Sequence, residues 1–266
     1  MSSTLTQAAA DGDVVEMRRI IASGETVNAT RGDGATPLLL AALGAHAEAC
    51  RVLLDAGAEL DTPKDTGATA LFAAAASDSP EAIDCVNLLL AAGASVDLPN
   101  THGVTPLQTA AHKGHAGVCE ALLRAGADAS RADKAGNTPL HKAVRSAAVE
   151  ALDALLLTAA ELEAGGGGSG GAAAARAGAD AAALLAARNE AGMTALEMAL
   201  DTSLSPCVVR LIEEERAIAA RAAGAAASAG VAAGEAEAKA AGEARAEAEA
   251  EATAAKAEAA AAAAAA

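Results

Sequence analysis

Apolar residues along this chain recur in short blocks at three- and four-residue spacing, each block bounded by glycine or a polar turn. The stretch from Gly103 to Gly126 shows the unit. Thr105 precedes Pro106, a pair that predicts a helix start: the Thr hydroxyl accepts from free backbone N–H groups and proline fits the first helical position. Gly114 interrupts the pattern. Val118, Cys119, Leu122 and Leu123 then predict a second helix with one apolar stripe, ended by Gly126. Helices this short are marginal alone in water, so the pair needs neighbours of its own kind.

The neighbours recur along the chain. A glycine before each Thr-Pro-Leu-like motif stands at Gly34, Gly67, Gly103, Gly136 and Gly192, giving intervals of 33, 36, 33 and 56 residues. A second spacing, from the capping threonine to the first residue of the apolar pair, is 17 residues at Thr36–Leu53, Thr105–Leu122, Thr138–Leu155 and Thr194–Leu211, and 20 at Thr69–Leu89.

The motifs TPLLLAA (36–42), TALFAAA (69–75), TPLQTAAHKGH (105–115), TPLHKAV (138–144) and TALEMAL (194–200), repeated near every 33 residues, resemble the ankyrin repeat. The resemblance covers residues 1–216 and implies an all-α solenoid of about six helix-turn-helix repeats joined by β-hairpin-like turns.

Taken in order, the repeats are expected at 1–33, 34–66, 67–102, 103–135, 136–191 and 192–216. The first lacks the Thr-Pro signature and reads as a terminal cap. The three extra residues of the third fall near Ser77-Asp78-Ser79-Pro80, a polar turn. The fifth carries an insertion, placed at 164–186 and beginning with the flexible run GGGGSGG at 165–171; no Gly-Lys-Ser/Thr follows to make it a phosphate loop. Residues 217–266 form an Ala/Glu-rich tail. Between Glu235 and Glu251 its charges fall only on odd positions, so they surround a helix and leave no coiled-coil seam.

Composition narrows the function. Phe72 is the single aromatic residue, so the core must be Leu, Ile, Val and Ala, with no aromatic cage. A formal charge of −16, from 35 acidic and 19 basic residues, argues against general nucleic-acid binding. Between 103 and 150 the balance reverses: Lys113, Arg124, Arg131, Lys134, Lys142 and Arg145 outnumber Glu120, Asp128, Asp133 and Glu150. Cys50 and Cys119 share one column of the second helix and Cys85 and Cys207 the next, which reads as small core residues in a reducing compartment. No signal peptide or membrane span is read, so an intracellular, cytoplasmic or nuclear chain is expected.

His112, His115 and Cys119 have a spacing that could gather a metal, but Cys119 belongs to the apolar column and a fourth ligand is not evident, so no metal is expected. No hydrolase signature accompanies the scattered Ser, His and acidic residues. No cofactor and no enzyme activity are expected. The resemblance implies that His141 makes a structural hydrogen bond to a neighbouring turn.

It also implies that hairpin tips and the exposed ends of first helices line a concave face that binds partner proteins. Carried over by alignment, the tips are Lys64 and Asp65, Thr101 and His102, Lys134 and Ala135, and Glu190 and Ala191. The helix positions are Leu43, His112 and Lys113, Arg145 and Ser146, and Asp201 and Thr202. His112, Lys113, Lys134 and Arg145, with Lys142 nearby, make a basic strip suited to an acidic partner segment. Leu39, Leu43 and Phe72 offer an apolar anchor beside it. The expectation is a monomeric, non-enzymatic adaptor or scaffold; the alternative is a stoichiometric regulator of one enzyme or complex.

Overall fold

The computed structural model describes residues 4–164, 181–202, 206–207, 209–214 and 217. The Gly-rich start of the insertion and the tail from 218 onward, read above as a tether and a partly helical extension, lie outside the described residues. All but the last of these residues belong to one compact unit, Met1–Glu215. Among them there is no strand.

Helices alternate in two roles. First helices are α1 (Leu5–Asp11), α3 (Pro37–Leu43), α5 (Ala70–Ala76), α7 (Pro106–Lys113), α9 (Pro139–Arg145) and, after the insertion, α12 (Ala195–Asp201). Second helices are α2 (Val14–Ala22), α4 (Ala47–Asp55), α6 (Ala82–Ala91), α8 (Ala116–Arg124) and α10 (Val149–Ala164). A short α11 (Ala181–Ala186) leads back from the insertion. Each first helix packs on the next first helix and each second helix on the next second helix, giving a two-layered helical solenoid.

The starts follow from the threonines. The hydroxyl of Thr36 accepts from Leu39 N at 3.2 Å, Thr69 from Phe72 N at 3.4 Å, Thr105 from Gln108 N at 3.3 Å and Thr194 from Glu197 N at 3.2 Å. Pro37, Pro106 and Pro139 occupy the first position of their helices. Below the caps, Leu38, Leu71, Leu107 and Leu140 of the first helices and Leu53, Leu89, Leu122 and Leu155 of the second are all fully buried. Each such leucine contributes about 2 kcal/mol by leaving water. Ala41, Ala42, Ala74, Ala75, Ala110 and Ala111 are buried beside them, and so small a side chain lets helices approach closely where aromatic residues are lacking.

Between repeats the chain makes a tight turn in which the glycine N–H donates back to the turn's first carbonyl and an outer bond closes the whole: Arg31 N to Ala35 O, Lys64 N to Ala68 O, Asn100 N to Val104 O, Asp133 N to Asn137 O and Asn189 N to Met193 O, each outer bond 2.9–3.0 Å. Successive tips are tied together. Asp65 N donates to Asp33 O, Thr101 N to Thr66 O, Lys134 N to His102 O and Glu190 N to Ala135 O, at 2.9–3.2 Å. The last of these spans the insertion, so the register resumes at Asn189 as if the extra residues were absent. Glycine is required within the tip. Gly136 has φ +73°, and a Cβ there would lie 2.7 Å from Glu190 N.

The connection between the two helices of a repeat varies more. Its left-handed residue is Gly12 or Gly114 in two repeats but Ala45 (φ 56°) and Ala147 (φ 55°) in two others. In the third repeat Ser77 is extended, with ψ 132°, and Ser77–Glu81 bridges to α6.

The fifth repeat departs from the others just before the insertion. Its second helix, α10, continues to Ala164. Where other repeats turn through left-handed Gly57, Gly93 and Gly126, this one has Ala159, followed by strong helix formers. A third set of contacts stops there too. Asn28, Asp61 and Asp97 side chains accept from Glu59 N, Ser95 N and Asp128 N of the following repeat, but Ser130, next in that column, bonds to Asp128 of its own turn.

Candidate functional site

The tips and first helices together form one face, and the third residue of each capped helix shows how it is built. Gln108 closes a capping box on Thr105 N through Oε1 (2.9 Å) while its Nε2 donates to Arg131 O (2.7 Å) and Asn137 O (2.9 Å) of the next tip. His141 does the same work. Its Nδ1 accepts from Thr138 N at 3.3 Å and its Nε2 donates to Met193 O at 3.0 Å, across the insertion. Burial, only partly countered by the Met193 carbonyl and the Asp133 carboxylate, holds this imidazole below its ordinary pKa, consistent with a neutral ring in a structural role. Leu39 and Phe72 occupy the same column and bury apolar surface instead: Leu39 packs with Ala35 and Ala73 as core, and Phe72 is half-buried.

Further along the first helices lie Leu43, His112, Lys113, Arg145, Ser146, Asp201 and Thr202, all exposed. Leu43 keeps 46% of its surface in water. Asp65, Thr101, His102 and Lys134 are exposed at the tips, and Lys64 is half-buried.

Three basic groups behave differently from the sequence reading. Lys142 is not on the open face. Its ammonium is buried against the Asp133 carboxylate, with side-chain exposures of 8% and 5%. Asp133 also accepts from Ala135 N (3.0 Å) and Asn137 N (2.8 Å), so the pair braces the fourth tip. Burial alone would raise the Asp133 pKa; Lys142 and these N–H groups outweigh it and leave the carboxyl below its ordinary range. His112 is exposed yet carries little charge near neutrality, because partial burial and then the charges of Arg145, Lys142 and Lys113 lower its pKa. Lys113 is bound by Asp78 of the lengthened third-repeat turn, at 2.9 and 3.0 Å.

Lys134 and Arg145 remain exposed with no ion pair among the described residues. Asp78 and Asp133 were missed by sequence reasoning, and each had a signal. Asp78 sits in the only turn with three extra residues, and Lys142 stands in a column otherwise filled by Leu40, Ala73, Thr109 and Met198.

His112, His115 and Cys119 are not gathered into a ligand set, and no group of three or more metal-ligating residues is found among the described residues. His115 instead caps α8 with Nε2 4.0 Å from Asp78, whereas its counterpart His46 bonds Ala10 O at 3.1 Å. No helix among the described residues is long and apolar enough to cross a membrane.

Stacked helix pairs, threonine caps and a ladder of tips define a helical-repeat protein whose exposed tips and first helices share one face. The family model for ankyrin repeats, in three copies, matches residues 5–100 and 75–164, and the chain belongs to the ankyrin repeat family. It is similar to the "Ankyrin repeat, SAM and basic leucine zipper domain-containing protein 1" of Colobus guereza and of Nomascus leucogenys, each 38% identical over 108 residues, covering 40% of this chain and 23% of the relative. The Rhinolophus ferrumequinum protein of the same name is 35% identical over 118 residues, covering 44% and 25%. The chain thus matches a quarter or less of these relatives' length. Ankyrin repeats form a protein–protein interaction module, and proteins of the family are generally non-enzymatic.

Proposed function

We infer that the chain is an adaptor or scaffold that holds an acidic segment of a partner protein against its fourth and fifth repeats. One observation carries this reading: Lys134 and Arg145 are exposed without ion pairs among the described residues, on the tip that closes the fourth repeat and on the first helix of the fifth, and Lys113 is exposed on the first helix of the fourth. Complementary charge of this kind raises association rate and selectivity more than affinity. Leu43 and half-buried Phe72 extend the face toward the second and third repeats as apolar contacts for the same segment.

The test compares partners retained by the full chain with those retained by Lys113→Glu, Lys134→Glu, Arg145→Glu combined. The reading predicts loss of one partner set and strong salt sensitivity of what the wild type holds. Identical capture by both proteins would remove the basic strip from consideration. A single partner whose activity changes on binding, with no second protein held at the same time, would favour a regulator over a scaffold.

A further inference from the structure

Outside this face, two thiols are brought together in the core. Cys50 on α4 and Cys85 on α6 have no solvent exposure, and Cys50 Sγ lies 3.9 Å from Cys85 Sγ in S–H···S contact. We propose that Cys50 and Cys85 are a reversible oxidation site that cross-links the second and third repeats.

The alignment explains why this boundary is singled out. Cys50, Val86, Cys119 and Leu152 form one column of the second helices, and Ala49, Cys85, Val118, Ala151 and Cys207 the adjacent one. The contact joins a residue of the first column to the second-column residue of the next repeat. The corresponding pairs are Val86 with Val118, Cys119 with Ala151 and Leu152 with Cys207, so cysteine meets cysteine once.

A disulfide has an S–S distance of about 2.05 Å, so the two sulfurs must close roughly half of their present separation to bond. The thiols are also unequal. The Cys50 S–H donates to Cys85 and stabilises its thiolate, which lowers the Cys85 pKa; the same bond, with burial, pushes Cys50 up. Buried Cys119, without such a neighbour, is pushed up to about 12.

The oxidant is a peroxide that enters when the two repeats part. The Cys85 thiolate attacks a peroxide oxygen, the O–O bond breaks, and the leaving hydroxide takes a proton to become water, giving a sulfenic acid. Cys50 gives up its proton and attacks that sulfur, the S–O bond breaks, and the hydroxyl leaves as water with the proton. Two thiols and one hydrogen peroxide become one disulfide and two waters. A dithiol reductant reverses the change by exchange.

The experiment treats the full chain with hydrogen peroxide, traps remaining thiols with iodoacetamide in denaturant, and maps the peptides by mass. The expected result is an intramolecular Cys50–Cys85 linkage that dithiothreitol removes, with Cys119 and Cys207 recovered alkylated. The melting temperature should rise by about 5–10 °C on oxidation. Cys85→Ser should lose the linkage and the rise, and Cys119→Ser should keep both. Recovery of Cys50 and Cys85 as free thiols, their conversion to sulfinic acids without linkage, or pairing with Cys119 or Cys207 would each overturn the proposal. The wild-type map decides the question even if the serine variant does not fold.

Discussion

The two edges of the solenoid obey different rules. On the hairpin edge every tip has the same closing bond, and each later tip donates one N–H to its predecessor. On the opposite edge the turns within repeats differ in length and in their left-handed residue, and no backbone bond among the described residues joins one such turn to the next. A shared backbone ladder penalises any deviation at every repeat, whereas turns joined only by individual side chains, such as His46 to Ala10 O and Lys113 to Asp78, can differ from one repeat to the next. The same contrast separates Lys142, bound into the tip edge, from Lys113, held by a turn residue in solvent.

The largest effect should come from the tip edge. Lys142→Ala leaves the Asp133 carboxylate buried without its cation, and loss of about 3–5 kcal/mol is expected, read by circular dichroism in a denaturant titration because the chain has no tryptophan or tyrosine. The pH dependence has a fixed sign. Asp133 binds its proton less readily folded than unfolded, so its contribution is complete above the unfolded value of about 4 and is lost as pH falls through the lower native value. Lys142→Ala should flatten that acid limb; an unchanged limb would show that the pair is not its source.

Gly136→Ala ranks next. A left-handed alanine costs about 1–2 kcal/mol, and its Cβ must also displace Glu190 N, so a total of about 2–3 kcal/mol is expected. Since Glu190 lies beyond the insertion, protection of its amide from hydrogen exchange should fall first. Across the molecule, Ala45→Gly should instead stabilise, by about 0.5–1 kcal/mol, because glycine relieves the positive φ. Destabilisation there would mean that this turn is as constrained as the tips.

The smallest change in stability is expected for Asp78→Ala, since both partners of its ion pair are exposed. Melting should not move measurably. Releasing Lys113 should nevertheless tighten an acidic partner, and weaker capture would show that Asp78 belongs to the binding surface.

Much of this was legible from residue types. Thr-Pro-Leu fixes where first helices begin, since cap and proline act locally, and the glycine period marks the tips because left-handed backbone there admits little else. His141 was identifiable by the same motif. What escaped depended on three-dimensional partners. Lys142 reads as a surface charge until Asp133 is found beside it, and His112 reads as part of a basic strip until its partial burial, and then its cationic neighbours, are taken into account. The fifth repeat's second helix runs past the point where the others stop because Ala159 stands where they have left-handed Gly57, Gly93 and Gly126.

The ladder of tips also has a direction. In each step the second residue of a turn offers its N–H to the carbonyl of the third residue in the turn before. Like hook-and-eye fasteners, all units face the same way. A duplicated unit therefore engages on both sides wherever it enters the row, without redesign of its neighbours. The 33-residue period is the length at which hook meets eye, and the fifth repeat shows that residues can be added between them provided the count resumes at Asn189.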